Sequence, residues 1–175
     1  MLVIHIISTE DTSNFSNIYN NLDATVLINP THIKARRHIA KETGPIILIG
    51  HGTEQGLLNH NLNGYIIDSS CVDILKNKTV IGIWCFAGNF ADRYGLTGFF
   101  TSNFISNVEE LTECGFETFE GCENIIIKEN ISFADRVNQM LRDATPLNEW
   151  IDNLQKNISD YNFVKYNHEA LYVNE

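Results

Sequence analysis

"IILIGHGTEQG", residues 46–56, joins an unbroken apolar run to a histidine held between two glycines. Ile46 to Ile49 show no polar alternation, so the run reads as a strand buried on both faces, the kind found inside parallel sheets. Gly50 ends the run, and His51 and Gly52 follow at once. A second stretch, "TVIGIWCFAG" at 79–88, repeats the design with Cys85 at the end of its apolar run.

Working outward, residues 2–7 read as a first strand and 12–22 as a helix with Phe15, Ile18 and Leu22 on one face. "ATVLIN", 24–29, is a second strand, and Pro30 and Thr31 open a helix that Gly44 and Pro45 close. Residues 56–68 suggest a hairpin around an Asn/Gly-rich turn. Ser69 and Ser70 are placed to cap a short helix through Lys76. After the strand at 79–85, "GFFTSNFIS" (98–106) predicts a fifth strand and "NVEELTECGF" a helix. "ENIIIK" predicts a short extra strand, "SFADRVNQMLRDA" and "PLNEWIDNLQKNI" two amphipathic helices, and "FVKYNHEALYVN" an edge strand. Strands alternating with helices imply an α/β fold, a three-layer sandwich with a mainly parallel sheet flanked by helices.

The 175 residues suit a single domain, 1–175, with a substantial core. A net charge of −10 disfavours nucleic acid, which binds broad basic surfaces. "MLVIHII" is too short for a membrane span and lacks the basic flank of a signal peptide, so no membrane partner and a cytoplasmic location are expected. The four cysteines, Cys71, Cys85, Cys114 and Cys122, are then expected as reduced thiols. Cys114 and Cys122 are spaced too widely for a zinc half-site, and no metal or other cofactor is expected.

Parallel strands ending at His51 and Cys85 finish on one edge of the sheet, where open α/β sheets hold their ligands. A thiol and an imidazole meeting there form a nucleophile arrangement: the sulfur attacks a carbonyl and the histidine protonates the leaving group. Gly52 lets backbone approach a ligand closely, and its N–H is a candidate oxyanion donor together with that of Cys85.

The order His-Gly after one apolar strand and Cys after the next resembles the caspase-like cysteine peptidases of clan CD, a group including caspases, metacaspases, gingipains, separases and CHAT domains. The matching stretches are "ILIGHG" and "IGIWC", and "CFAGNF" is similar to the gingipain pattern after the cysteine. The resemblance covers about residues 1–116 and implies a caspase-like fold. It implies Cys85 as nucleophile, His51 as general acid/base, Gly52 as oxyanion donor, a protein or peptide substrate and a thioester acyl-enzyme. The chain departs from caspases around the cysteine, where Ile83, Trp84, Phe86 and Ala87 stand, so specificity for aspartate is not implied. A catalytically inactive caspase-like binding or regulatory module is the alternative, and a flavodoxin-like binder of small molecules at the same edge is a third.

Among the other histidines, His5 is expected in the sheet, His60 in solvent, His168 in a structural role, and His32 and His38 on a solvated basic helix face. Cys71 is expected to pack inward. Glu54, Asp68 and Asp92 are the acids near strand ends that would suit a basic substrate side chain, and none is assigned.

Overall fold

The computed structural model describes residues Met1–Glu175. Six strands form the central sheet: β1 (Leu2–His5), β2 (Thr25–Ile28), β3 (Ile46–Ile49), β7 (Val80–Ile83), β8 (Gly98–Thr101) and β9 (Leu171–Asn174). Their order is β2-β1-β3-β7-β8-β9, parallel throughout except for β9, which runs antiparallel at the edge. A second small sheet, β4 (Gly52–Thr53), β5 (Gly56–Leu58) and β6 (Tyr65–Ile67), is antiparallel and grows directly out of the end of β3.

The helices are α1 (Glu10–Ser13), α2 (His32–Lys41), α3 (Val72–Leu75), α4 (Ala87–Tyr94), α5 (Val108–Glu113), α6 (Cys122–Arg142), α7 (Trp150–Gln155) and α8 (Asn162–Glu169), with short 3₁₀ turns between some of them. Side chains alternate across a strand, so the inner strands feed two cores, while edge strand β2 buries only Leu27. Leu2, Ile4, Ile46, Leu48 and Val80 pack with Ile39 of α2, Leu75 of α3 and Phe90 of α4. Val3, Ile47, Ile49, Ile81 and Phe99 pack on the opposite face with Phe133 and Val137 of α6 and Trp150 of α7. Sheet between two helical layers is the three-layer α/β arrangement that the continuous apolar runs imply. No helix is long and apolar enough to cross a membrane.

Several elements differ from the sequence reading. "ENIIIK" lies inside α6, not in a strand. Its Ile126 belongs to a buried stripe that runs from Cys122 through Asn130, Phe133, Ala134 and Val137, and that helical spacing outweighs the β-branched run. The strand over 98–106 stops at Thr101, and the polar Ser102 and Asn103 continue as loop. The expected edge strand over 163–174 splits into α8 and β9. The expected helix over 12–22 is α1 followed by a 3₁₀ turn, Asn14–Tyr19. Asp68 takes the capping position expected of the serines, accepting the Ser70 N–H.

Candidate active site

Register brings the two singled-out residues together. Ile49 of β3 pairs with Ile83 of β7, and the Gly50 N–H continues the ladder onto the Ile83 carbonyl at 3.1 Å. His51 and Cys85 therefore stand at matching positions, each two residues beyond that last pair. The chain runs from β1 out to β2, then returns to place β3 on the other side of β1, so the strand order reverses between β1 and β3. Crevices at such reversals, beyond the carboxyl ends of the strands, are where doubly wound sheets bind ligands. His51 leaves β3 at this point, and Cys85 leaves its next neighbour.

Both residues line one cleft of about 450 Å³, and Gly52 lines it with them. Leu58, Leu62 and Phe86 give the cleft an apolar rim, and Glu110 and Glu113 an acidic wall. A smaller void of about 20 Å³ also touches both His51 and Cys85, room for one water molecule.

Cys85 sits on a strand–turn–helix junction. The next residue, Phe86, has φ +68° and ψ 22°, a left-handed conformation that costs a non-glycine residue about 1–2 kcal/mol. Its N–H is tied to the Ser102 carbonyl at 3.0 Å, and α4 begins immediately after it. The turn leaves the Phe86 ring exposed at the cleft while Cys85 is half-buried beneath it. The Cys85 thiol bonds the Phe104 carbonyl at 3.4 Å. Burial, then the nearby Glu110 carboxylate, pushes its pKa from 9.0 up to about 12, so the resting group is the neutral thiol.

Gly52 is required by packing. An added Cβ would lie 2.0 Å from Trp84 Cδ1 and 2.7 Å from the Gly56 carbonyl oxygen. Trp84 is itself buried and anchored by an Nε1–H bond to the Thr53 carbonyl at 3.2 Å. The Leu58 N–H bonds the His51 carbonyl at 2.9 Å, so in the antiparallel alternation Gly52 opposite Leu57 is a non-bonded position. Its N–H points away from β5 and is free for another acceptor, as an oxyanion donor must be.

Four residues that the sequence reading did not single out surround the imidazole. His51 Nε2 lies 2.9 Å from the Thr9 hydroxyl and 3.4 Å from Asp11 Oδ2. Nδ1 faces Glu110 Oε1 at 3.7 Å. The Ser106 hydroxyl lies 2.8 Å from both Asp11 Oδ2 and Glu110 Oε2. One hydroxyl proton serves one carboxylate at a time, so Asp11 and Glu110 compete for the Ser106 O–H. Burial, reinforced by the Asp11 charge and opposed by bonds from Ser106, raises the Glu110 pKa. Burial also penalises the Asp11 carboxylate, but bonds from Thr9, Asn107 and Ser106 and the His51 ring outweigh it and hold its pKa below the usual value. An ionised Asp11 beside Nε2 stabilises positive charge on the ring when His51 takes up a proton.

Thr9 and Asp11 follow β1, which neighbours β3, so the same sheet edge delivers them. That was the available signal: an acid at the start of the segment that follows an adjacent strand. Glu110 is set by α5, whose cap residue Asn107 accepts the Glu110 N–H at 2.8 Å. The acids named from sequence lie elsewhere. Glu54 pairs with Arg93 at 3.5 Å, Asp92 lines a different cavity, and Asp68 stands beside His32. His5 is buried, bonding Thr12 O at 2.8 Å and Tyr19 OH at 3.0 Å. His168 is buried and His60 exposed. His32 does not simply face solvent; its ring bonds the Ile66 carbonyl.

No protein-family model matches the chain, and no curated protein matches it.

Proposed function

We propose that this chain is a cysteine peptidase of caspase-like fold, cleaving protein or peptide substrates with Cys85 as nucleophile and His51 as general acid/base. The observation that carries this reading is the matched register of β3 and β7, which sets a thiol and an imidazole in one open cleft beyond the carboxyl ends of these strands. The Cys85 proton passes to His51 as the sulfur attacks the scissile carbonyl. The developing oxyanion accepts from the Gly52 N–H, a type of contact worth about 3–4 kcal/mol. The C–N bond then breaks, His51 returns the proton to the leaving amine, and a thioester remains on Cys85. Water, deprotonated by His51, hydrolyses it and restores the thiol. Leu58, Leu62 and Phe86 suit apolar substrate side chains, and Glu110 and Glu113 disfavour an acidic one.

One observation favours a second reading, a non-catalytic binding or regulatory module of the same fold: the Cys85 thiol is pushed up to about 12 and starts as a poor nucleophile. A peptide-library cleavage assay separates the two. The peptidase reading expects products from the wild-type chain and none from Cys85→Ala; no cleavage by either, with peptides still retained in the cleft, supports the module.

A further inference from the structure

Away from the cleft, where α2 begins and β6 ends, three side chains remote in sequence converge. His32, Asp68 and Cys71 bring a ring nitrogen, a carboxylate oxygen and a sulfur within 4.8 Å of one another. Counting protons shows what the cluster lacks. The Ile66 carbonyl can only accept, so its 3.1 Å contact with His32 Nδ1 requires the proton there. In the neutral ring Nε2 then presents a lone pair, and it faces the Ser70 hydroxyl oxygen at 3.4 Å. Ser70 has one hydroxyl proton, and the 2.6 Å contact with Asp68 Oδ1 takes it. Cys71 is fully buried; its thiol meets the Ile66 carbonyl at a long 4.0 Å, and the Asp68 backbone and Ser70 side chain also lie against its sulfur. Nitrogen, oxygen and sulfur lone pairs thus face one another with no proton between His32 and Ser70. A cation fills such a gap. A metal ion placed there engages all three donors.

We propose that His32, Asp68 and Cys71 form a binding site for a divalent transition metal, with zinc the best match to the mixed N, O and S donors. Nδ1–H donation to a backbone carbonyl is the usual outer-shell arrangement that aims Nε2 at a metal. The fourth position falls to Ser70 Oγ or water. Binding forms the sulfur–metal bond, releases the Cys71 proton to solvent and changes no oxidation state. Two charged side chains lie close: Asp68, a ligand, and Arg36, which donates to the Ser70 carbonyl and whose charge opposes the metal while favouring the Cys71 thiolate. The site would clamp α2 to the small sheet that begins at Gly52, steadying the hairpin whose Leu58 and Leu62 rim the cleft. It stands independently of the proposed peptidase chemistry.

The test uses the full chain, stripped of metal with a chelator and titrated with cobalt(II) alone. The expected result is a thiolate-to-cobalt charge-transfer band with the visible bands of a four-coordinate ion, saturating at one equivalent and lost on adding zinc. Cys71→Ser removes the charge-transfer band and Cys85→Ser keeps it. His32→Gln and Asp68→Asn leave the buried thiol in place and each weaken cobalt affinity by at least roughly tenfold, the least that outer-shell changes commonly cost. These two variants keep the proposal decidable if Cys71→Ser fails to fold. No band on the wild-type chain, unchanged affinity in both conservative variants, or a band that survives Cys71→Ser and vanishes in Cys85→Ser would overturn it.

Discussion

Thiol chemistry at Cys85 offers a quantitative check on the electrostatics of the cleft. Burial and the Glu110 carboxylate raise its pKa from 9.0 to about 12. At about pH 8 that shift cuts the thiolate fraction by roughly a thousandfold. A more basic thiolate is intrinsically the better nucleophile toward disulfides, by roughly 15- to 30-fold over this interval for a Brønsted slope of about 0.4–0.5. The net expectation is reaction roughly 30- to 60-fold slower than for the same cysteine in the unfolded chain. The assay is site-resolved labelling with a small aromatic disulfide, followed by mass spectrometry of the Cys85 peptide, with the urea-unfolded protein as internal standard. The rate should climb about tenfold per pH unit through the alkaline range without levelling. Glu110→Gln removes the second cause and leaves the first, so it should speed labelling by less than about tenfold. A Cys85 that reacts faster folded than unfolded, with a plateau near neutral pH, would refute this reasoning and indicate a resting thiolate–imidazolium pair.

Other perturbations test separate parts of the structure. Gly52→Ala drives a methyl group to 2.0 Å from Trp84 and 2.7 Å from a backbone oxygen. Overpacking of that kind costs about 3 kcal/mol, which lowers Tm by roughly 6–12 °C in a chain of this size; an unchanged calorimetric Tm would show that β4 moves freely. Burial lowers the pKa of His5, and of His168, from 6.5 to about 4. The unfolded chain then takes up protons that the folded chain refuses. The stability these residues contribute is whole above the unfolded value and is lost as pH falls from there toward the folded one, roughly 3 kcal/mol for His5 and less for the more solvent-screened His168. Urea midpoints should drop between about pH 7 and pH 4.5, and a flat profile would contradict burial of neutral rings. Asp11→Asn removes the charge beside His51 Nε2 and should lower kcat/KM for peptide cleavage at least roughly tenfold with little change in Tm; equal activity would show that Asp11 does not support the imidazole.

The inner strands β1, β3 and β7 were legible because they are short, nearly all apolar and ended by glycine or polar residues. Ile46–Ile49 and Val80–Ile83 left no other reading, and their parallel pairing fixed the common edge of His51 and Cys85. Three consecutive isoleucines, 125–127, misled for a local reason: only their continuation through Phe133 and Val137 shows the helical stripe. The imidazole's neighbours were hidden by tertiary distance. Asp11 comes from α1, which follows β1, and Ser106 and Glu110 from the loop and helix after β8, so only the folded sheet brings them to the ring. The role of Gly52 was only half visible, since a sequence does not show that Trp84 occupies the space its side chain would take.

The most direct measurement of the central claim is covalent. Wild-type chain mixed with a peptide ester, quenched in acid and digested, should yield an acyl group in thioester linkage on the peptide containing Cys85, and His51→Ala should sharply reduce its yield. An acyl group found on Cys114 instead, or formed in equal yield without His51, would contradict the account.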